Sequence, residues 1–264
     1  MRPAALTILG IILLAACAHD GTSGRAAAQA FKAADNRVSI ETRGEQRCIR
    51  ANGLPNHTTG RFPNPGNPNR IRPQNFEICL PRTPVRGSDA QPVRGAIGIA
   101  VNGVLIRPGT ADWYDPGTRR GHSRNPASGW NLEGMGAADM LGIDANNAHA
   151  DPRGIYHYHG PPTGLIETLS DTQIGWTADG FALHLAPDGV LPGWRLKPGE
   201  RRTPPYGPHD GTYIQDFEFA GGAGTLDRCN GGQLGGEFVY FATRSFPFYP
   251  RCLWGRISRD FRRY

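Results

Sequence analysis

The stretch Ala148-His149-Ala150-Asp151-Pro152-Arg153-Gly154-Ile155-Tyr156-His157-Tyr158-His159 decides how this chain folds back on itself. Asp151-Pro152-Arg153-Gly154 has Pro at the second turn position and Gly at the fourth, the pattern of a type I turn closed by a left-handed glycine. In a hairpin that is the three-residue loop with a G1 bulge. The resulting register sets Asp151 against Ile155 and His149 against His157. His159 lies two residues further on, so it shares a face with His157, and Asn147 stands opposite it. A four-residue loop would shift the register by one and put His149 among the tyrosines. The placement of Pro and Gly favours the first arrangement.

On that register three imidazoles leave one small patch, with neighbouring Cβ atoms ~5–7 Å apart. Metal–nitrogen bonds of about 2.0–2.1 Å let all three rings converge on one ion. Three neutral imidazoles with an open fourth position suit zinc, copper or iron better than magnesium or calcium. Asp144, Asn147 or water is available to complete the shell or to orient a ring. The candidate metal set is therefore His149, His157, His159 and Asp144, with zinc or copper as the expected ion. Two other accounts stay open: histidines stacked on aromatics with no ion, and turn capping by Asp144, which like Asp227 is followed by Asn three residues later.

Working outward, the chain repeats itself. Gly98-Ile-Ala-Val-Asn-Gly-Val-Leu105 matches Gly175-Trp-Thr-Ala-Asp-Gly-Phe-Ala182, each a strand, an Asn-Gly or Asp-Gly turn, and a second strand. Asp144-x-x-Asn147-x-His149 with Gly154-Ile-Tyr-His-Tyr-His159 matches Asp227-x-x-Asn230-x-Gly232 with Gly236-Glu-Phe-Val-Tyr-Phe241. Gly235-Gly236 suits a two-residue turn that preserves the register. Gly232, Val239 and Phe241 then occupy the positions of His149, His157 and His159, while Phe238 and Tyr240 keep the aromatics of Tyr156 and Tyr158. The expected fold is mainly β: antiparallel hairpins from an internally duplicated unit, roughly 97–160 and 174–242, packed as one domain with long Gly/Pro-rich loops. The 36 glycines and 23 prolines in 264 residues support it, and helix-length amphipathic runs are scarce.

The start of the chain is a targeting segment. Arg2 precedes an apolar run, Ala4 to Leu14, which is short of the ~20 residues a membrane span needs and fits a signal-peptide core. Leu14-Ala-Ala-Cys17 resembles a lipobox, so residues 1–16 are expected to be a signal peptide and Cys17 the lipidated residue. Residues 17–35 look like a tether. The expected site is the periplasmic side of a membrane, held by the lipid. Ala18 lacks the acidic character that often marks inner-membrane retention, which favours the outer membrane. Cys48, Cys79, Cys229 and Cys252 form an even set in an exported chain and point to disulfides. Three pairings are possible, and locality favours Cys48–Cys79 with Cys229–Cys252. No Cys-x-x-Cys spacing supports zinc.

Residues 36–94 are expected to be a loop-rich extension, with Pro55, Pro63, Pro65, Pro68 and Pro73 in one irregular segment and ordered strands beginning near Phe76. The basic run 256–264 looks like a solvated tail. The net charge of +6 is spread along the chain, and no nucleic-acid motif accompanies it. His184 is available as a fourth ligand if the two halves meet. His57, His122 and His209 sit in Gly- or Pro-rich loops without ligand spacing, and the tryptophans fit core or rim positions.

Gly154-Ile-Tyr-His-Tyr-His-Gly160 with His149 upstream resembles the YHYH protein family. So do Ile174-Gly-Trp-Thr-Ala-Asp-Gly-Phe181, Leu226-Asp-Arg-Cys-Asn-Gly231 and Phe246-Pro-Phe-Tyr-Pro-Arg-Cys252. The resemblance spans roughly 95–255 and implies an exported or surface protein, with no settled activity. Three functions remain in view: a metal-binding exported protein; an enzyme using His157 or His159 as general base beside Asp144; and a structural or binding module of the cell envelope, its protein partners unspecified. No Gly-x-Ser-x-Gly nucleophile signal is present.

Overall fold

The computed structural model describes residues 29–222 and 224–264, so the signal peptide and the lipidation site Cys17 lie outside the described residues. The strands that matter for the site are β1 (Val38–Arg43), β2 (Gln46–Ala51), β3 (Phe76–Pro81), β4 (Gly98–Ala100), β5 (Leu105–Ile106), β6 (Gly109–Tyr114), β7 (His122–Ser123), β8 (Asn131–Glu133), β9 (Ala148–Ala150), β10 (Tyr156–Tyr158), β11 (Gln173–Thr177), β12 (Ala182–Leu185), β13 (Gly231–Leu234) and β14 (Glu237–Ala242). The one helix near the site is α1 (Ala138–Leu141).

The main sheet has eight strands in the order β9-β10-β5-β4-β11-β12-β14-β13. From either edge inward the pairings are the same: an antiparallel hairpin, a parallel join, and a second antiparallel hairpin. The two inner hairpins meet antiparallel, with Ile99 opposite Trp176. Their turns close as the Asn-Gly and Asp-Gly pairs require, by Ala100 N–H to Val104 O and Thr177 N–H to Phe181 O. At the far edge Gly235 and Gly236 both have positive φ, and Leu234 pairs with Glu237.

Strands begin earlier than Phe76. β1, β2 and β3 form a separate antiparallel sheet, so the expected loop-rich extension contains a hairpin. β1 is exposed along its whole length and carries no burial period, whereas β2 and β3 send Ile49, Ile78 and Leu80 into the core. The absence of alternation in β1 is what hid the hairpin. Cys48 stands directly opposite Cys79 and is bonded to it; Cys229 is bonded to Cys252. Gln29 pairs with Phe62, and Phe31 N–H donates to Thr59 Oγ1, so the last part of the expected tether is ordered against the loop 52–75.

The basic C-terminal run is a docked turn rather than a solvated tail. Phe261 is buried, Ser258 N–H donates to Ala178 O, and the Tyr264 ring meets Phe76 edge-on at 5.0 Å. Burying the Phe261 ring is worth ~1.5–3 kcal/mol, and hydrogen bonds from Cys79 N–H to Asp260 and from Ser258 Oγ to Cys79 O tie the run down.

Both faces of the main sheet are covered at the β9–β10 end. One core joins Ile49, Phe62, Ile78 and Leu80 to Ile99, Leu105, Tyr156, Tyr158, Tyr240 and Tyr249. On the histidine side lies the small sheet β7-β6-β8, followed by α1, with its own core of Leu132, Ala137, Leu141 and Tyr213.

Candidate metal centre

Local turn chemistry builds the β9–β10 hairpin. Gly154 N–H donates to Asp151 O at 2.8 Å and Asp151 N–H to Ile155 O at 3.0 Å, which is the three-residue loop. Gly154 has φ +84°, and a Cβ there would press on the Arg72 side chain at 2.7 Å. His149 consequently faces His157, and His159 N–H donates to Asn147 O at 2.7 Å. The alternation of a strand sends the three histidines to one side and Tyr156 and Tyr158 to the other.

The three rings converge through their Nε2 atoms. His159 Nε2 lies 3.1 Å from His149 Nε2 and 3.1 Å from His157 Nε2. Among the described residues these three are the cluster whose ligand atoms could hold an ion, all within 4.8 Å of one another. Two nitrogens bound to one tetrahedral ion stand about 3.3 Å apart, given bonds of 2.0–2.1 Å.

Tautomer and charge are set by the surroundings. His149 Nδ1 lies 2.8 Å from Leu141 O and His157 Nδ1 lies 3.0 Å from Ile155 O. A carbonyl only accepts, so each Nδ1 carries hydrogen and each Nε2 presents a lone pair. Such a carbonyl behind the ring is the arrangement that orients metal-ligating histidines. His159 Nδ1 is buried with no hydrogen bond of standard geometry, and the Pro108 backbone is near enough to favour the charged ring. Without an ion, His159 Nε2 either shares one proton between two facing lone pairs or adds a third lone pair to them.

Burial lowers the pKa of His149, and pushes His157 and His159 well below the usual histidine value. The positive charge of Arg107 adds to the effect on all three, as does His149 in His157 and His159, and His159 in His157. The trio is therefore neutral at pH 7, the protonation state that binds metal. His157 and His159 are 2 % and 1 % exposed, and His149 forms the partly open edge.

The cover over the trio is tightly fitted. A Cβ at Gly134 would fall 2.5 Å from His159 Nδ1. That loop is fixed by the fully buried Glu133, whose Oε2 accepts from Met135 and Gly136 N–H and whose Oε1 accepts from Arg251 at 2.6 Å. Nothing in the local sequence marked Glu133, Arg251 or Arg107 as neighbours of the histidines. All three arrive through contacts distant in the chain.

Asp144 does not join the trio. Its Oδ1 accepts from Asn146 N–H, and its Oδ2 accepts from Gly60 N–H and from the Tyr156 hydroxyl at 2.8 Å. Tyr156 belongs to the opposite face of β10, so strand alternation places the carboxylate on the wrong side of the sheet for ligation. The Tyr158 hydroxyl on that same side contacts His57 Nε2 at 2.7 Å and accepts from Asn102 Nδ2 at 2.9 Å. Burial raises the pKa of both phenols. His184 Nδ1 lies 3.0 Å from Thr172 Oγ1, on the second hairpin, and His122 Nδ1 lies 3.0 Å from Asp112. Asp179 is buried and accepts from Thr177, Tyr240 and Gly255.

The family described as YHYH protein matches residues 77–255, which begins earlier than the span of 95–255 expected from the motifs and takes in β3. Neither a curated protein nor a solved structure matches the chain.

Proposed function

This chain belongs to the YHYH protein family, and from that premise we propose that it is an exported lipoprotein whose YHYH hairpin binds one transition-metal ion, zinc or copper, through His149, His157 and His159. The observation that carries the proposal is the tautomer lock. Two backbone carbonyls hold the Nδ1 hydrogens of His149 and His157, so lone pairs face His159 Nε2 from two sides at 3.1 Å. A proton on His159 Nε2 can serve those two lone pairs only as a shared donor, whereas a cation at the centre satisfies all three nitrogens at once. The ion would supply a Lewis acid at the partly open His149 edge, and the protein's own part is to hold three neutral rings against a fitted cover.

Export and lipidation at Cys17 rest on the leader sequence and are supported by the two disulfides, which persist in oxidising compartments. In this proposal the lipid is the membrane contact, on the periplasmic side and at the outer membrane. Among the described residues no helix is long and apolar enough to cross a membrane.

The test is elemental analysis of the protein purified without chelator or affinity-tag histidines, beside a His149→Ala, His157→Ala, His159→Ala variant. About one zinc or copper per wild-type chain and none in the folded variant is the expected result. Absence of metal from the wild type after exposure to both ions would refute it.

A further inference from the structure

Arg107 shares the histidine face. In the parallel pairing of β5 with β10, Leu105 stands beside His157 and Ile106 beside Tyr158, and Arg107 N–H donates to Tyr158 O. One step further along, the side chain of Arg107 falls on the same face as His159. Its Nη1 donates to Asp151 Oδ2 at 3.1 Å, in the turn between β9 and β10. The charge of Arg107 acts on all three rings. Nη2 reaches Tyr264 O at a long 3.4 Å, and Nε is buried with no hydrogen-bond partner. A buried guanidinium N–H without an acceptor is costly, and this one belongs to a residue on the histidine face of the sheet.

The charge balance of the centre makes the same demand. The three ligands are neutral, the described cysteines are all in disulfides, and no carboxylate joins the cluster. Asp151 and Glu133 are each engaged by an arginine. A divalent ion would bring its full charge into a buried site, where an uncompensated charge is strongly disfavoured. An anion at the open position offsets that charge and can satisfy the free N–H.

Resting on the metal-site reading above, we propose that the fourth coordination position takes a small carboxylate-type oxyanion, one oxygen on the ion and the other accepting from Arg107 Nε. Access is by the partly open His149 edge, since His157 and His159 are closed off. Charge-assisted pairing of a carboxylate with arginine gives the site its preference for planar oxyanions over neutral ligands.

The experiment is a formate titration of the protein loaded with one equivalent of cobalt(II), followed by the visible spectrum of the ion. Wild type should show a saturable change. Arg107→Gln should bind cobalt in the same stoichiometry and formate on the order of tenfold more weakly. Should that variant fail to fold, Arg107→Lys, which keeps the charge and loses the Nε–H, carries the same comparison. Cobalt bound with no formate response, or equal formate affinity in both proteins, would overturn the oxyanion site and leave the metal site standing. A wild type that takes up neither cobalt nor zinc nor copper would overturn both.

Discussion

At one end of the main sheet the β9–β10 hairpin presents His149, His157 and His159, and at the other the β13–β14 hairpin presents Gly232, Val239 and Phe241 from matching positions. The scaffolding around them agrees closely. Asn147 and Asn230 adopt φ of 57° and 58°, and their carbonyls accept from His159 and Phe241 N–H. Asp144 and Asp227 each cap the N–H two residues on. Tyr158 and Tyr240 are both fully buried, each with a polar partner for its hydroxyl. On the other face the two ends part company: Val239 and Phe241 pack with Leu226 in an apolar cluster, and a Cβ at Gly232 would already crowd Leu226 at 2.9 Å. The tyrosine face therefore carries the fold, and the opposite face is free to carry either a core or a ligand set.

The sharpest way to break that comparison is to give the first hairpin the residues of the second. His157→Val with His159→Phe should abolish metal binding, on the order of 10⁴-fold or about 5.5 kcal/mol, while the protein stays folded; retained stoichiometric metal would break the assignment. On the tyrosine face the effect should fall on stability instead. Tyr158→Ala should cost about 3–5 kcal/mol by its cavity. Tyr158→Phe should cost about 1–3 kcal/mol by stranding His57 and Asn102. Denaturant melts at unchanged metal stoichiometry would show this division of labour.

Asp144→Asn sharpens the same line. It weakens bonds to Gly60, Asn146 and Tyr156, so a loss of about 1–3 kcal/mol is expected. Metal content should not change; a parallel loss of metal would return Asp144 to the ligand set. The last effect is a slope. The trio's pKa values are lowered in the folded protein, so below the unfolded value of about 6.5 the unfolded chain takes up protons that the folded one refuses. Metal-free protein should be most stable above that pH. It should lose up to about 1.4 kcal/mol per pH unit for each ring as the pH falls toward the lowered values. The His157→Val, His159→Phe variant should show a shallower fall.

What could be read from the residues was what turn chemistry and strand alternation control locally. Asp151-Pro152-Arg153-Gly154 set the register, the register set the trio, and Gly235-Gly236 set the matching positions at the far edge. The parallel join of β10 to β5 has no local signature, so Arg107 was invisible as a neighbour of His159. Glu133 and Arg251 meet across more than a hundred residues of chain for the same reason. β1 carries no legible period because it is exposed throughout, and in the C-terminal turn the arginines outnumber the buried Phe261. Asp144 misled because spacing along the chain does not say which face of a sheet a preceding turn will serve.

The central claim is that three Nε2 atoms share one ion. X-ray absorption at the zinc edge, on protein carrying one equivalent of zinc, tests it most directly. The account predicts three imidazole nitrogens at about 2.0–2.1 Å and one further light atom. A shell of oxygens with fewer than two imidazoles would contradict it.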